Sequence, residues 1–139
     1  MKKTLIILVV LFIAIQLIPV KRENLPVVAD FDGPAEVKDI FKVSCYDCHS
    51  NETRWVWYTN IAPVKWLAAH DVKEGREHLN FSNWGNIPSE KYGRIAYKIW
   101  DDIEEGEMPL KIHTIMHKDA ILSDEQKAIV KDWAQSLNN

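Results

Sequence analysis

The chain has 139 residues, of which 20 are acidic and 17 are basic, so its formal net charge is −3. Residues 1–23 hold four basic residues and one acidic residue, so the remainder carries a formal charge of −6. That remainder is large enough for one small domain but not for two. Its acidic balance argues against a nucleic acid as partner.

The N-terminus is apolar. Between Met1-Lys2-Lys3 and Lys21, the chain is uncharged from Thr4 to Val20, which is long for the apolar part of a signal peptide and short for a membrane-spanning helix. Because no small-residue cleavage site follows directly, residues 1–23 are predicted to form an uncleaved signal-anchor helix. Residues 24–34 contain two prolines and a glycine, and we expect them to form a linker.

The first predicted helix of the domain leads to a five-residue motif. Apolar residues recur at helical spacing from Val37 to Phe41 and predict two to three turns ending near Cys45. The motif Cys45-Tyr-Asp-Cys48-His49 follows. Two thiols at this spacing suit thioethers to the two vinyl groups of one haem, and the adjacent imidazole suits its iron. The motif therefore predicts one covalent haem c per chain, with His49 as an iron ligand.

The same C-x-x-C spacing occurs in zinc sites and in thioredoxin-like dithiols. Cys45 and Cys48 are the only cysteines, and the histidines do not lie at the usual zinc-finger distances. A thioredoxin-like site would follow a strand within a parallel sheet, whereas the sequence patterns here are mainly helical. Both alternatives are therefore weaker than haem attachment.

Two further elements follow the motif. The segment from Trp55 to Tyr58 is an aromatic cluster, in which Trp57 is a candidate to line one side of the haem. Pro63 suits the first turn of a helix and predicts one that continues to about Gly75.

The strongest helical period runs from Tyr92 to Ile103, and Gly106 is expected to end that helix. The segment from Met108 to Leu122 is predicted to be irregular. Ser123 and Gln126 have the spacing of a capping box, which predicts a final helix that continues to the C-terminus.

The complete pattern over residues 35–139 resembles a monohaem cytochrome c. More narrowly, it resembles a small bacterial family of exported haem-binding domain proteins. The resemblance rests on four stretches: Cys45-Tyr-Asp-Cys-His-Ser-Asn-Glu-Thr-Arg-Trp, Trp57-Tyr58, Asn60-Ile-Ala-Pro63-Val and Glu105-Gly-Glu-Met-Pro.

This resemblance implies an all-α, cytochrome c-like domain with His49 as proximal ligand and a methionine as distal ligand. It also implies that the backbone carbonyl of Pro63 accepts a hydrogen bond from the His49 ring. With the signal anchor, it places the protein at the bacterial inner membrane, with the haem domain on the exported, periplasmic side.

Two methionines besides Met1 are available as the distal ligand, Met108 and Met116. Met108 has the better setting, because it follows the helix end at Gly106 and precedes a proline that keeps it extended. Met116 is the alternative, and His113 or His117 would give bis-histidine ligation instead.

The function predicted from these features is that of a membrane-tethered single-electron carrier rather than an enzyme. Its expected partners are the membrane and a redox protein with a basic docking patch. The main alternative is a haem-based gas or redox sensor, or a peroxidase-like protein, with a labile distal ligand. A haem-free dithiol oxidoreductase is the third alternative.

Overall fold

The computed structural model describes residues 1–138, and all regular secondary structure in that range is helical. The α-helices are α1 (Lys2–Gln16), α2 (Ala35–Ser44), α3 (Tyr46–His49), α4 (Val64–His78), α5 (Tyr92–Glu104), α6 (Lys111–Met116) and α7 (Asp124–Ser136). Short 3-10 helices lie at Trp57–Asn60, Phe81–Asn86, Ser89–Lys91 and Lys118–Ala120. The all-helical character agrees with the fold class predicted from the sequence.

The prediction of a signal-anchor helix is wrong. Helix α1 has 15 residues, which at about 1.5 Å per residue is shorter than the roughly 30 Å hydrocarbon core of a bilayer. Across residues 1–138, the structure contains no helix that combines the length and apolar character needed for a membrane span. The predictions of an inner-membrane location and of a membrane tether depended on that anchor, so they are overturned with it.

Helix α1 is joined to the domain at its C-terminal end. The side chain of Gln16 accepts a hydrogen bond from the Ala62 N–H at 2.8 Å, and the buried ammonium of Lys65 donates to the Gln16 carbonyl at 2.6 Å. A cation beside the last carbonyls of a helix is favourable because the helix dipole is negative there. This contact fixes only the end of α1, since none of its residues is buried.

The core is largely aromatic and lies where α5 packs on α7 and α7 packs on α2. Phe31 sits at its centre, in edge-to-face contact with four other rings. These partners are Phe41, Phe81, Trp84 and Trp133. Such pairs add roughly 0.5–1.5 kcal/mol each beyond the burial of their area. Tyr46 extends this cluster into α3, because its ring stacks on Phe81 with centroids 5.2 Å apart.

The predicted helix limits hold best where the sequence carries explicit end signals. Helix α7 begins with the expected capping box of Ser123 and Gln126, and α5 ends just before Gly106, whose φ is +72°. The segment after Met108 was predicted to be irregular, but it contains α6.

Helices α3 and α4 touch through a glycine. A Cβ at Gly75 would lie 2.7 Å from the Cys48 carbonyl oxygen and 3.0 Å from its carbon. Both are backbone atoms, so they cannot rotate away as a flexible side chain would. Gly75 therefore allows α4 to lie directly against the second cysteine of the motif.

We expect Gly75→Ala to destabilise the protein by about 1–3 kcal/mol, because the added methyl group forces α4 away from α3. This loss should exceed the gain of up to about 1 kcal/mol from the better helix propensity of alanine. Thermal unfolding followed by circular dichroism would measure the change. Lys73→Ala, at an exposed position of the same helix, is the control and should change stability by no more than about 0.5 kcal/mol. Equal stability of the two variants would contradict the prediction.

Candidate haem-binding site

The C-x-x-C-H motif lies on α3, with Cys45 directly before the helix. The N–H of Cys45 donates to the Phe41 carbonyl at 2.8 Å, and the N–H of His49 donates to the Cys45 carbonyl at 2.9 Å. Both thiols are free and partly buried. At 3.6 residues per turn, Cys45, Cys48 and His49 share one side of this helix. One helical face therefore presents all three predicted haem contacts.

The His49 ring is oriented by the C-terminal end of α4. Its Nδ1 lies 2.9 Å from the Gly75 carbonyl oxygen and 3.1 Å from the Leu79 carbonyl oxygen. Two carbonyl acceptors require the proton on Nδ1, which leaves the Nε2 lone pair for a metal. Burial lowers the pKa of the imidazole, although both carbonyl contacts oppose the shift. The neutral ring that an iron ligand requires is thus favoured.

The resemblance implied a different acceptor for this ring, the carbonyl of Pro63. In the structure, that carbonyl instead accepts hydrogen bonds from the N–H groups of Trp66 and Leu67, at 3.1 and 3.4 Å. Pro63 precedes the first turn of α4, where its carbonyl serves the helix start. The hydrogen bond from His49 that was expected at Pro63 is therefore accepted by Gly75 and Leu79, at the C-terminal end of the same helix.

The two thiols are in an environment that disfavours thiolates. Burial raises the pKa of Cys45 to about 12, and the Cys48 thiolate nearby adds to the shift. Burial, followed by the charge of Asp47, raises the pKa of Cys48 to about 11. Catalytic dithiols and zinc ligands act as thiolates and usually have lowered pKa values. This environment weakens the dithiol alternative.

Met108 follows the C-terminal end of α5. Its backbone N–H donates to the Asp102 carbonyl at 3.0 Å, and its side chain is partly buried. Burial lowers the pKa of His49, and the Asp102 carboxylate is among the groups whose charge opposes that shift. The role of Met108 as distal iron ligand stays a prediction.

The alternative ligands have other surroundings. Met116 is 59 % exposed. His113 and His117 stack on each other, with ring centroids 4.2 Å apart, and His113 faces Asp47. Because Asp47 is two residues from both Cys45 and His49, it lies on roughly the opposite side of α3 from the haem contacts.

Trp57 is 71 % exposed and meets Tyr58 edge to face, with centroids 5.7 Å apart. It is not buried in the protein itself, and its role in lining the haem stays a prediction. Tyr58 contacts His117 through its hydroxyl group.

The sequence reasoning did not single out Asp47, which the structure places at a charged junction. This buried carboxylate accepts a two-point contact from the Arg54 guanidinium, with Oδ2 to Nη2 at 2.8 Å and Oδ1 to Nε at 3.1 Å. It also accepts the Arg54 backbone N–H at 3.0 Å. The contact fixes the polar loop after the motif. The sequence signal for this contact is an acidic residue inside the motif that is followed seven positions later by an arginine.

These residues fit a haem. The chain presents two protonated thiols and a neutral imidazole on one helical face, and the second ring nitrogen of that imidazole is already hydrogen-bonded. An all-helical domain with this site defines a haem protein.

Comparison with known proteins supports the assignment as a haem protein and identifies its family. The sequence model described as "Haem-binding domain" matches residues 10–136. The chain belongs to this haem-binding domain family, which confirms the resemblance found in the sequence at the level of the family. Neither the curated proteins nor the solved structures gave a significant match.

Proposed function

We propose that the protein holds one haem c covalently and carries single electrons. The observation that supports this most directly is the His49 ring, whose Nδ1 contacts two carbonyl oxygens and whose Nε2 remains available for iron. An imidazole held in this way remains oriented as electrons arrive and leave. When bound, the haem supplies a one-electron couple.

In this proposal, Cys45 and Cys48 form the two thioethers. Each S–H adds across one vinyl double bond, with a new C–S bond at one carbon and the hydrogen on the other, so no oxidant is consumed. Their raised pKa values are compatible with thiols that stay protonated and unoxidised before attachment. The spacing of these two residues at the start of α3 would place the His49 imidazole within reach of the iron.

Met108 is the proposed distal ligand. Its neighbours Gly106 and Pro109 give the backbone a sharp change of direction after α5, and two N–H groups, those of Glu107 and Met108, hold this turn by donating to the Asp102 carbonyl. The Met108 thioether would hold the iron opposite His49, would favour its reduced state and would leave no open position for a substrate. This arrangement favours electron transfer over turnover of a substrate.

We also propose that the redox partner carries a basic patch. The sequence from Asp101 to Glu107 holds five carboxylates and no basic residue, and it directly precedes Met108. Lys98 pairs with Asp101 and Asp102 at 3.3 and 2.8 Å, so the three glutamates remain for a partner. Charge of one sign beside the exchange site raises the encounter rate with an oppositely charged protein, and salt weakens it.

The electron-carrier proposal predicts that reduced haem-loaded protein does not bind carbon monoxide within minutes, because Met108 occupies the distal position. Absorption spectra recorded after mixing would measure this. In the same preparation, the rate of electron transfer to a basic redox protein should fall as ionic strength rises. Rapid binding of carbon monoxide would instead support the sensor or peroxidase-like alternative. A transfer rate that rises with salt would exclude a basic partner.

A further inference from the structure

The histidine pair on the far side of α3 is not used by the proposed electron carrier. His113 lies on α6 and His117 directly follows that helix. Their rings are nearly parallel, with an interplanar angle of 9°. The side chain of His113 is only 19 % exposed, so this is not a pair of freely solvated surface residues. Both rings belong to one turn of chain, which brings two imidazoles to the same point.

A carboxylate completes this group. Oδ2 of Asp47 lies 4.0 Å from Nε2 of His113, which is too long for a hydrogen bond. One nitrogen from each histidine and one oxygen of Asp47 all lie within 4.8 Å of one another. Ligands in a tetrahedral site bind at about 2.0–2.2 Å and therefore lie a little over 3 Å apart. The nitrogen lone pairs lie in the ring planes, so one imidazole has to tilt out of the stack before both nitrogens and the Asp47 oxygen can bind one ion at that spacing.

We infer that Asp47, His113 and His117 form a second metal site, distinct from the haem iron, for a divalent transition-metal ion such as Zn²⁺. Two imidazoles and one carboxylate suit Zn²⁺, whereas Mg²⁺ and Ca²⁺ require oxygen ligands. This site is separate from the haem because Asp47 lies on the side of α3 away from Cys45 and His49.

The surrounding residues can support such a site. The Tyr58 hydroxyl contacts Nε2 of His117, and metal-bound histidines commonly have an oxygen partner of this kind on the other ring nitrogen. Arg54 holds the Asp47 carboxylate in place through both of its oxygens. Its positive charge also opposes a dication, so this site should bind more weakly than one with a free carboxylate. Bound metal would link α6 to the haem motif.

The test uses haem-loaded protein that has been treated with a chelator, dialysed and titrated with Zn²⁺ in a calorimeter. We expect one Zn²⁺ per chain, and we expect His113→Ala and His117→Ala each to weaken binding at least tenfold. His70→Ala, which removes an exposed histidine from α4, is the matched control and should bind as the unaltered protein does. The haem absorption spectrum should stay the same in all four proteins.

Two results would overturn the inference. One is Zn²⁺ binding that is absent, or that is equal in the unaltered protein and in the two variants. The other is a changed haem spectrum in His113→Ala or His117→Ala, which would make that histidine an iron ligand. Circular dichroism checks folding, and asparagine replaces alanine wherever the alanine variant does not fold. Because Zn²⁺ stoichiometry is measured independently of the haem, a failure here leaves the electron-carrier proposal standing.

Discussion

Simultaneous replacement of Cys45 and Cys48 by alanine is expected to leave a protein with no covalently bound haem. The two thiols are the only groups in the sequence that can form thioethers. Extraction with acidified acetone should therefore remove all haem from the double variant and none from the unaltered protein. The mass of the intact polypeptide should show the same difference, equal to one haem.

The single variants Cys45→Ala and Cys48→Ala are the matched controls. Each should keep its haem through one thioether, and the pyridine haemochrome band should shift to longer wavelength because one vinyl group remains unsaturated. Circular dichroism checks that the double variant is folded, because Cys45 packs against the core. Haem that stays attached to the double variant after extraction would refute covalent attachment by these residues.

Met108→Ala is expected to have the largest effect on the haem iron itself. Loss of a thioether ligand should abolish the weak near-infrared charge-transfer band of a sulfur-iron bond and open the distal position to carbon monoxide. It should also lower the reduction potential by on the order of 0.1 V, a fraction of the roughly 0.8 V range over which axial ligands set haem potentials. Spectra in both oxidation states and a potentiometric titration would measure these changes.

Met116→Ala is the control for this experiment. Met116 is largely exposed on α6, so its replacement should leave the band, the potential and the lack of carbon monoxide binding nearly unchanged. The reverse pattern would make Met116 the ligand. Spectra that are unchanged in both variants would show that neither methionine binds the iron.

The parts of the fold that could be predicted from the sequence are those specified by local signals. Helix α5 has the clearest apolar period and a glycine at its end, and α7 has a capping box whose two hydrogen bonds form as expected. The haem motif is likewise local, because five consecutive residues carry its chemistry. Such features depend on neighbours in the chain and not on distant packing.

The parts that could not be predicted depend on contacts between distant segments. The acceptor for the His49 ring comes from the far end of α4, 26 and 30 residues along the chain, and no spacing rule identifies it. The approach of His113 to Asp47 likewise joins side chains 66 positions apart in the chain. The prediction of an N-terminal anchor failed for another reason. The sequence shows an apolar stretch, but it does not show that α1 ends at Gln16.

The aromatic core described above bears on the order of assembly. Its buried rings come from α2, α7 and the segments around Phe31 and Trp84, and Tyr46 is its one full member from the haem motif. Most of the apolar burial that drives collapse therefore comes from residues outside the motif, and Cys45 packs against this core. We therefore expect the chain to fold around Phe31 before haem is attached, with Cys45 packed against the formed core. Haem attachment is then a late step on a folded domain, and haem is not the nucleus around which the chain collapses.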